Sequence, residues 1–394
     1  MQKFCCVDCF DIEEIKEFIR DNNQTGQCDY CNSTTIPIRE VSEVGEFVMD
    51  GFNRCYEDAA NSVGYCSEEG GYLLDTDEIE EILNFKEEIF SAKLDDPTNL
   101  LHDLVEIDTT PYVRKCPYSM GEDKISTWED FCTRVKFRER YTVFMLRRET
   151  SIEQQNHENF LSEVLKDLFE YCKTTLYPGQ DIFRARLIAS QFELCNEELT
   201  SPPSNKAKNS RMSPAGISVF YGALEENTAI SEIQPSIIDK VAIGHFKVKI
   251  PLKIINLSSI PKPIHIFNEN YDFHFEEFVR PFIGKFIKDI SKPIRKTDTE
   301  IEYLPTQVFT EFIRNASNYK FDFSCKGVDY VDYKVDGILY PSSLRQGGCC
   351  IVLFNGPEIS LRSEKSGISG WLIFQQAKKV EITNSTLSYN TVGE

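Results

Sequence analysis

VAIGHFKVKI (241–250) is a short run rich in Val, Ile and Phe, and CCIVLF (349–354) is another. Gly and Pro punctuate the chain between such runs, which is the texture of strands joined by turns. This texture begins after Pro178, and SPPSNKAKNS (201–210) reads as a polar loop within it. Upstream the periodicity changes. TDEIEEILNFKEEIFSAKL (76–94) sets Ile79, Ile82, Leu83, Phe85, Ile89 and Phe90 near helical spacing, opposite a glutamate face. A second helix is expected over 126–147, with Ser126 as N-cap and Glu129 three residues later. A third, over 151–175, carries Phe160, Leu161, Val164, Leu165, Leu168 and Phe169 as one apolar stripe. Trp371-Leu372-Ile373-Phe374 is read as a strand packed on the carboxy-terminal domain. The class is therefore α+β, with a helical middle and a strand-rich carboxy-terminal half.

The chain has 394 residues, of which 41% are hydrophobic, enough for two or three domains with real cores. Its formal charge of −20 is unevenly placed: residues 1–110 hold 27 acids against 7 bases, and the rest is balanced. Phosphate backbones are bound by surplus Lys and Arg, so the acidic front end argues against direct nucleic-acid binding. A solvated acidic face is the simpler reading of such a charge run, and a basic partner surface the other. No apolar run approaches the length that crosses a bilayer, and MQKFCCVDCF lacks a secretory pattern. A cytoplasmic location without membrane association is expected, and a homo-oligomer is left open.

Fourteen cysteines in such a chain point to metal ligation before disulfides. Cys6-x-x-Cys9 and Cys28-x-x-Cys31 have the spacing of a structural Zn²⁺ site, each pair spanning one edge of a tetrahedron. Cys5 is an alternative to Cys6. With 8 acids and 4 bases in residues 1–40, this zinc ribbon reads as a scaffold or protein contact. The expected domains are 1–40 (zinc ribbon), 41–168 (helical) and 169–394 (α/β).

The chemistry lies between 180 and 355. Ile182-Phe183-Arg184-Ala185-Arg186 reads as a strand with two arginines. Arg211-Met212-Ser213-Pro214-Ala215-Gly216 and Val219-Phe220-Tyr221-Gly222-Ala223 follow, then a short helix from Asn227 to Ile233 that carries Glu232. Forked guanidinium donors suit phosphate. A carboxylate can hold ribose hydroxyls and stabilise positive charge at an anomeric carbon. Together they suit a dinucleotide bound without a Rossmann loop. There is no Gly-x-Gly-x-x-Gly and no Gly-x₄-Gly-Lys-Ser/Thr.

The order Arg184, Arg211-x-Ser213-Pro214-x-Gly216, Phe220-Tyr221-Gly222-Ala223, Glu232, Pro305-Thr306-Gln307 and Asp336-Gly337-Ile338-x-Tyr340-x-Ser342-Ser343 resembles the RES domain over roughly 170–356. The cysteine pairs, with Trp128-x-x-Phe131 and Arg140-Tyr141, resemble the HEPN/RES amino-terminal region. The resemblance implies an α/β domain similar to diphtheria-toxin-like ADP-ribosyltransferases, acting as a toxin that consumes NAD⁺ and is held in check by an antitoxin or regulatory protein. It implies that Arg184 grips the pyrophosphate with help from Arg211, and that Tyr221 stacks on or positions the nicotinamide end. Glu232 would bond the nicotinamide ribose, and Ser342 or Ser343 would line the pocket, with Arg186 as the alternative to Arg184. The acceptor is left open between water, phosphate and a protein side chain, the last making the chain a protein ADP-ribosyltransferase. A zinc-ribbon adaptor whose second half only binds nucleotide is the non-enzymatic alternative.

Two departures from the family pattern stand out. Ser210 replaces the glycine common before the second arginine, and a long insert separates Glu232 from Tyr303. The insert holds Tyr271, Phe273, His274 and Phe275, read as core or lid. HEPN ribonucleases carry Arg-x₄₋₆-His; none of His102, His157, His245, His265 and His274 follows an arginine at that spacing.

Overall fold

The computed structural model describes residues 2–68, 70–115, 120–140, 163–188, 192–260, 262–295, 297–315, 334–356, 359–361 and 370–382. The chain divides into two compact units: 1–122 with 262–280, and 123–261 with 281–394.

In the first unit, β1 (Phe4–Cys6), β2 (Thr25–Gly26) and β3 (Ile36–Glu40) form a small antiparallel sheet with β3 central. The helix Val41–Cys55 follows β3 directly and buries Val44, Val48, Phe52 and Cys55, an i, i+4, i+8, i+11 stripe. β4 (Tyr56–Asp58), β5 (Tyr65–Cys66), β6 (Gly71–Tyr72) and β7 (Tyr112–Arg114) add two pairs, β4 with β7 and β5 with β6. Cys6, Cys9 and Cys28 share one core with that helix and with Ile266 and Phe267. The insert thus serves as core: Tyr271 and Phe273 pack against the same cluster, and Phe267 lies where a side chain on Gly51 would meet it at 2.2 Å. Arg54 Nη2 donates to the Ile266 carbonyl at 2.8 Å, fixing the insert's backbone.

The helix expected over 76–94 closes early. Ile79–Glu81 is α-helical, but Ile82–Lys86 widens into a π turn closed by Glu87 N–H to Ile82 O at 2.9 Å. Glu88 then takes φ +46° and ends it. Ile79, Ile82, Leu83 and Ile89 are buried as their spacing asks, whereas Phe85, beside the wider turn, is 76% exposed.

The second unit is built on nine strands. β8 (Lys173–Leu176), β9 (Asp181–Leu187), β10 (Phe220–Ala223), β11 (Lys240–Val248), β12 (Leu252–Asn256), β13 (Gly337–Pro341), β14 (Cys349–Leu353), β15 (Ser360–Leu361) and β16 (Leu372–Glu381) run β15-β16-β11-β9-β10-β14-β13-β12-β8 across the sheet. Among the described residues only β12–β13 and β15–β16 pair in parallel. The run at 241–250 is apolar on both sides because both faces of β11 are covered. Ala242, Phe246 and Val248 enter one cluster, and Val241 and Ile243 the other, with Ala185, Ala223 and Ala229. Those three alanines let the helix Glu226–Glu232 lie close on the sheet.

The helix placed at 126–147 starts earlier, at Met120, and runs to Phe137, so Ser126 lies inside it and cannot cap it. Residues 141–147 lie outside the described residues. Trp128 is buried against Phe131, Phe286 and Phe309, and its Nε1 donates to Asp289 at 3.0 Å. Residues 163–171 are helical and bury Val164, Leu165, Leu168 and Phe169; Phe160 and Leu161 of the expected stripe fall outside the described residues. Among the described residues no helix is long and apolar enough to cross a membrane.

Gly337 opens β13 where a Cβ would stand 2.3 Å from the Val352 carbonyl oxygen. The neighbour is backbone of the paired strand and cannot yield cheaply. Gly337→Ala is expected to lower stability by about 3 kcal/mol, read as an earlier urea midpoint; an unchanged midpoint would contradict this strand packing.

Candidate functional site

Arg184 lies mid-strand on β9, and its side chain enters a cavity of about 390 Å³, within the usual range for small-molecule sites. Arg211, Tyr221, Glu232 and Ser343 line the same cavity. Four segments far apart in sequence therefore converge: β9, the 209–213 loop, β10 with its following helix, and the turn after β13. Among the described residues Glu232 is the one acid of the lining, and Arg184 and Arg211 are its cations.

Each charged group is held from behind. Arg184 Nη1 donates to the Tyr221 carbonyl at 2.9 Å, and its guanidinium stands 5.2 Å from the Phe220 ring centre. Burial, with Arg186 adding repulsion, pushes Arg184 down to about 10, so it remains a cation at neutral pH. Arg211 Nη2 donates to Lys292 O at 2.8 Å, and its guanidinium packs 5.3 Å from the Tyr303 ring centre. Arg184 Nε and Arg211 Nη1 are buried and meet no acceptor among the described residues. Unmet guanidinium N–H groups are costly unless an anion completes them.

Tyr221 braces the second arginine. Its hydroxyl meets Ser210 Oγ at 2.8 Å and accepts from the Met212 amide at 3.0 Å. What it offers the cavity is its ring, and burial raises its phenol above the ordinary value. Glu232, at the end of its helix, accepts from Ser342 Oγ. That hydroxyl oxygen in turn accepts from the amides of Leu344 at 3.2 Å and Arg345 at 3.1 Å. The two serines thus divide the work: Ser343 lines the cavity, while Ser342 holds the carboxylate. Arg186, two residues along β9, does not line this cavity; it donates to the Glu198 carbonyl.

Four further residues, given no role by residue pattern, contribute to the site. Gln307, 5% exposed, donates to Asn209 Oδ1 at 2.6 Å and Ser210 O at 2.7 Å. Thr306 Oγ1 bonds Arg211 O at 2.7 Å, so the helix Leu304–Arg314 clamps the arginine loop. Tyr340 and Cys350 also line the cavity, and burial raises both their ionisations. Pro305-Thr306-Gln307 and Tyr340 were visible as motif positions; Cys350 carries no sequence signal.

The family model for the RES domain matches residues 183–374, and that for HEPN/RES N-terminal domain 1 matches residues 21–149. The chain is a RES-domain protein with a HEPN/RES amino-terminal region. Comparison with curated proteins finds no match, and neither does comparison with solved structures. The RES match spans β9 to the start of β16 and contains every cavity residue named above.

The cysteine pairs of this RES-domain protein also converge. Sγ–Sγ distances are 3.7 Å for Cys6–Cys9, 3.4 Å for Cys6–Cys31 and 3.5 Å for Cys9–Cys28, and all four sulfurs lie within 4.8 Å of one another. Zn–S bonds of about 2.3 Å in a tetrahedron put sulfurs about 3.8 Å apart. A disulfide would need about 2.05 Å. Cys5 is turned away, its Sγ 3.8 Å from Arg39 O, which leaves Cys6 as the fourth sulfur. Backbone turns hold the set: Cys28 N–H bonds Ser33 O at 2.9 Å, and the Tyr30 amide points at Cys28 Sγ at 3.4 Å. Crowding, through the Cys28 hydrogen bond first and burial after it, pushes the Cys6 thiol up to about 12. As thiolates the four could hold a divalent cation, and they would fill a tetrahedral site with no open coordination position.

Protein purified without chelator should carry about one zinc per chain, and Cys28→Ser should lose it and melt earlier. Metal analysis beside thermal melts checks this. A metal-free protein whose melt ignores both chelator and the substitution would remove the assignment.

Proposed function

We propose that this chain breaks the bond between nicotinamide and ribose in NAD⁺, with water or inorganic phosphate as acceptor, and that it acts as a toxin or defence effector restrained by an antitoxin. The association of the RES domain family with NAD⁺-related toxin activity supports an enzyme acting on NAD⁺. The observation that carries the reading is the charge layout of one cavity. Two arginines with unmet buried N–H groups stand on the same lining as a single braced carboxylate. A dinucleotide presents the complementary pattern: a pyrophosphate for the arginines, and a ribose with developing positive charge for the acid.

Nicotinamide leaves as a neutral base from a cationic ring, so the breaking C1′–N pair needs no proton. Charge builds at C1′ instead. Glu232 supplies the compensating charge, and Ser342, fixed by two amides, keeps that carboxylate from relaxing. Arg184 and Arg211 fix the pyrophosphate, so the ribose arrives at one position. The Tyr221 ring supplies a flat wall, since its hydroxyl is already bonded. The acceptor oxygen then adds to C1′ and releases its proton to Glu232 or to solvent.

Glu232→Gln keeps the shape and the Ser342 contact but removes the charge. It is expected to lower kcat for nicotinamide release by about 10²–10³ while NAD⁺ still binds; Arg184→Ala should weaken binding itself. Nicotinamide and free ADP-ribose are measured beside any labelled protein. Transfer onto protein in place of free ADP-ribose would make the chain a protein ADP-ribosyltransferase. Binding without turnover in the unaltered protein would favour the adaptor reading, and failure to bind NAD⁺ would end the assignment.

A further inference from the structure

A second cavity, of about 290 Å³, shares a wall with the first: Arg184, Asn209, Ser210 and Tyr221 line both. Its charge is different. The second lining adds Arg186, Lys206 and Lys208 and contains no carboxylate among the described residues. Arg184 and Arg186 stand two apart on β9 and so project from one face of the sheet. Like charges held that close repel, and the effect is felt at Arg184.

Arg186 is partly answered, by the Glu198 carbonyl and by the Glu198 carboxylate at 3.8 Å. Lys206 and Lys208 are exposed and pair with no carboxylate among the described residues. Their backbone is nevertheless fixed. Lys206 N–H bonds Pro203 O at 2.8 Å, and Ala207 O accepts from Gly216 N at 3.0 Å. Gly216 holds φ +90°, which a side chain would strain, and Ser218 Oγ bonds Pro202 O. Four cations from two braced segments thus line one space that borders the main cavity and carries no acid among the described residues.

We infer that this annex is a second anion site, which takes a phosphate dianion next to the pyrophosphate grip of Arg184 and Arg211. The inference rests on the NAD⁺ reading of the main cavity for its setting, but the annex can bind phosphate whether or not that reading holds. The phosphate has two sources: the 2′-phosphate of a phosphorylated dinucleotide, or free inorganic phosphate. Both would be drawn by the same lysines, and added salt would weaken both.

The test uses the full chain and its Lys206→Ala/Lys208→Ala variant, both side chains being exposed and outside the proposed catalytic set. Inorganic phosphate is titrated by phosphorus NMR, with thermal melts to show that the variant is folded. The unaltered protein should bind phosphate, and the variant should bind it about tenfold more weakly. NAD⁺ and NADP⁺ turnover, each with and without phosphate, then separates the sources. A tenfold fall in kcat/KM for NADP⁺ alone would identify the ester. A phosphate effect on NAD⁺ turnover that vanishes in the variant would identify the free ion. Equal phosphate binding by both proteins, or none by either, with NADP⁺ and NAD⁺ handled alike, overturns the annex. Phosphate binding lost in the variant while neither protein turns over NAD⁺ would keep the annex and remove the NAD⁺ reading instead.

Discussion

Tyr221 accepts at its carbonyl oxygen from Arg184 Nη1, and its hydroxyl joins Ser210 Oγ and the amide of Met212, the neighbours of Arg211. Both cations of the cavity are therefore referred to one residue of β10. That residue is itself fixed in the sheet, where Tyr221 sits opposite Val352 on β14. A guanidinium drawn out of water loses hydration worth several kcal/mol unless donors and charge are met. Arg184 recovers part of that from a carbonyl and from the Phe220 ring, and the rest of the fold must keep it there.

The same logic explains why so much of the second unit converges on a five-residue loop. Residues 209–213 belong to no named strand or helix; Ser210 and Ser213 exchange backbone hydrogen bonds, and the Arg211 carbonyl and the Asn209 side chain are met from outside the loop. Gln307 and Thr306, from the first turn of the helix Leu304–Arg314, meet four polar groups of this loop. Ser210 stands here where the family commonly has glycine, and its hydroxyl is used: it bonds both Ser213 and Tyr221. The loop is tightened by a side chain where a glycine would offer none. Such rigidity matters because donors that need not reorganise stabilise developing charge best.

The parts legible in the sequence were those set by local pattern. Runs at 182–186, 241–250 and 349–354 became strands, and the segment ending in Glu232 became a helix. The cysteine spacing brought four sulfurs together. What escaped was non-local or turned on one backbone step. Nothing in Ile266 and Phe267 announces that they belong to the core of the first unit, since their partners lie over two hundred residues earlier. Phe85, which helical spacing sets on the flank of the apolar face, is exposed beside the π turn at Ile82–Lys86. Arg184 and Arg186 look interchangeable as text, but being two residues apart they share a face. Their difference is position along the strand, one over the main cavity and one beyond it.

The thiols show how one side chain is set to opposite tasks by its surroundings. In the cluster of Cys6, Cys9, Cys28 and Cys31 the four sulfurs lie within 4.8 Å of one another, and a divalent cation among them could be held by all four as thiolates. Cys350 is equally buried, but burial and the neighbouring Glu232 both raise its ionisation, so it stays a thiol. A thiol there can donate toward the carboxylate and cannot attack as a thiolate. Among the described residues Glu232 therefore stands as the one carboxylate of the cavity lining, with Ser342 bonded to it and the Cys350 thiol near it. Such an arrangement suits the proposed reaction, in which positive charge grows at C1′ and Glu232 answers it through space.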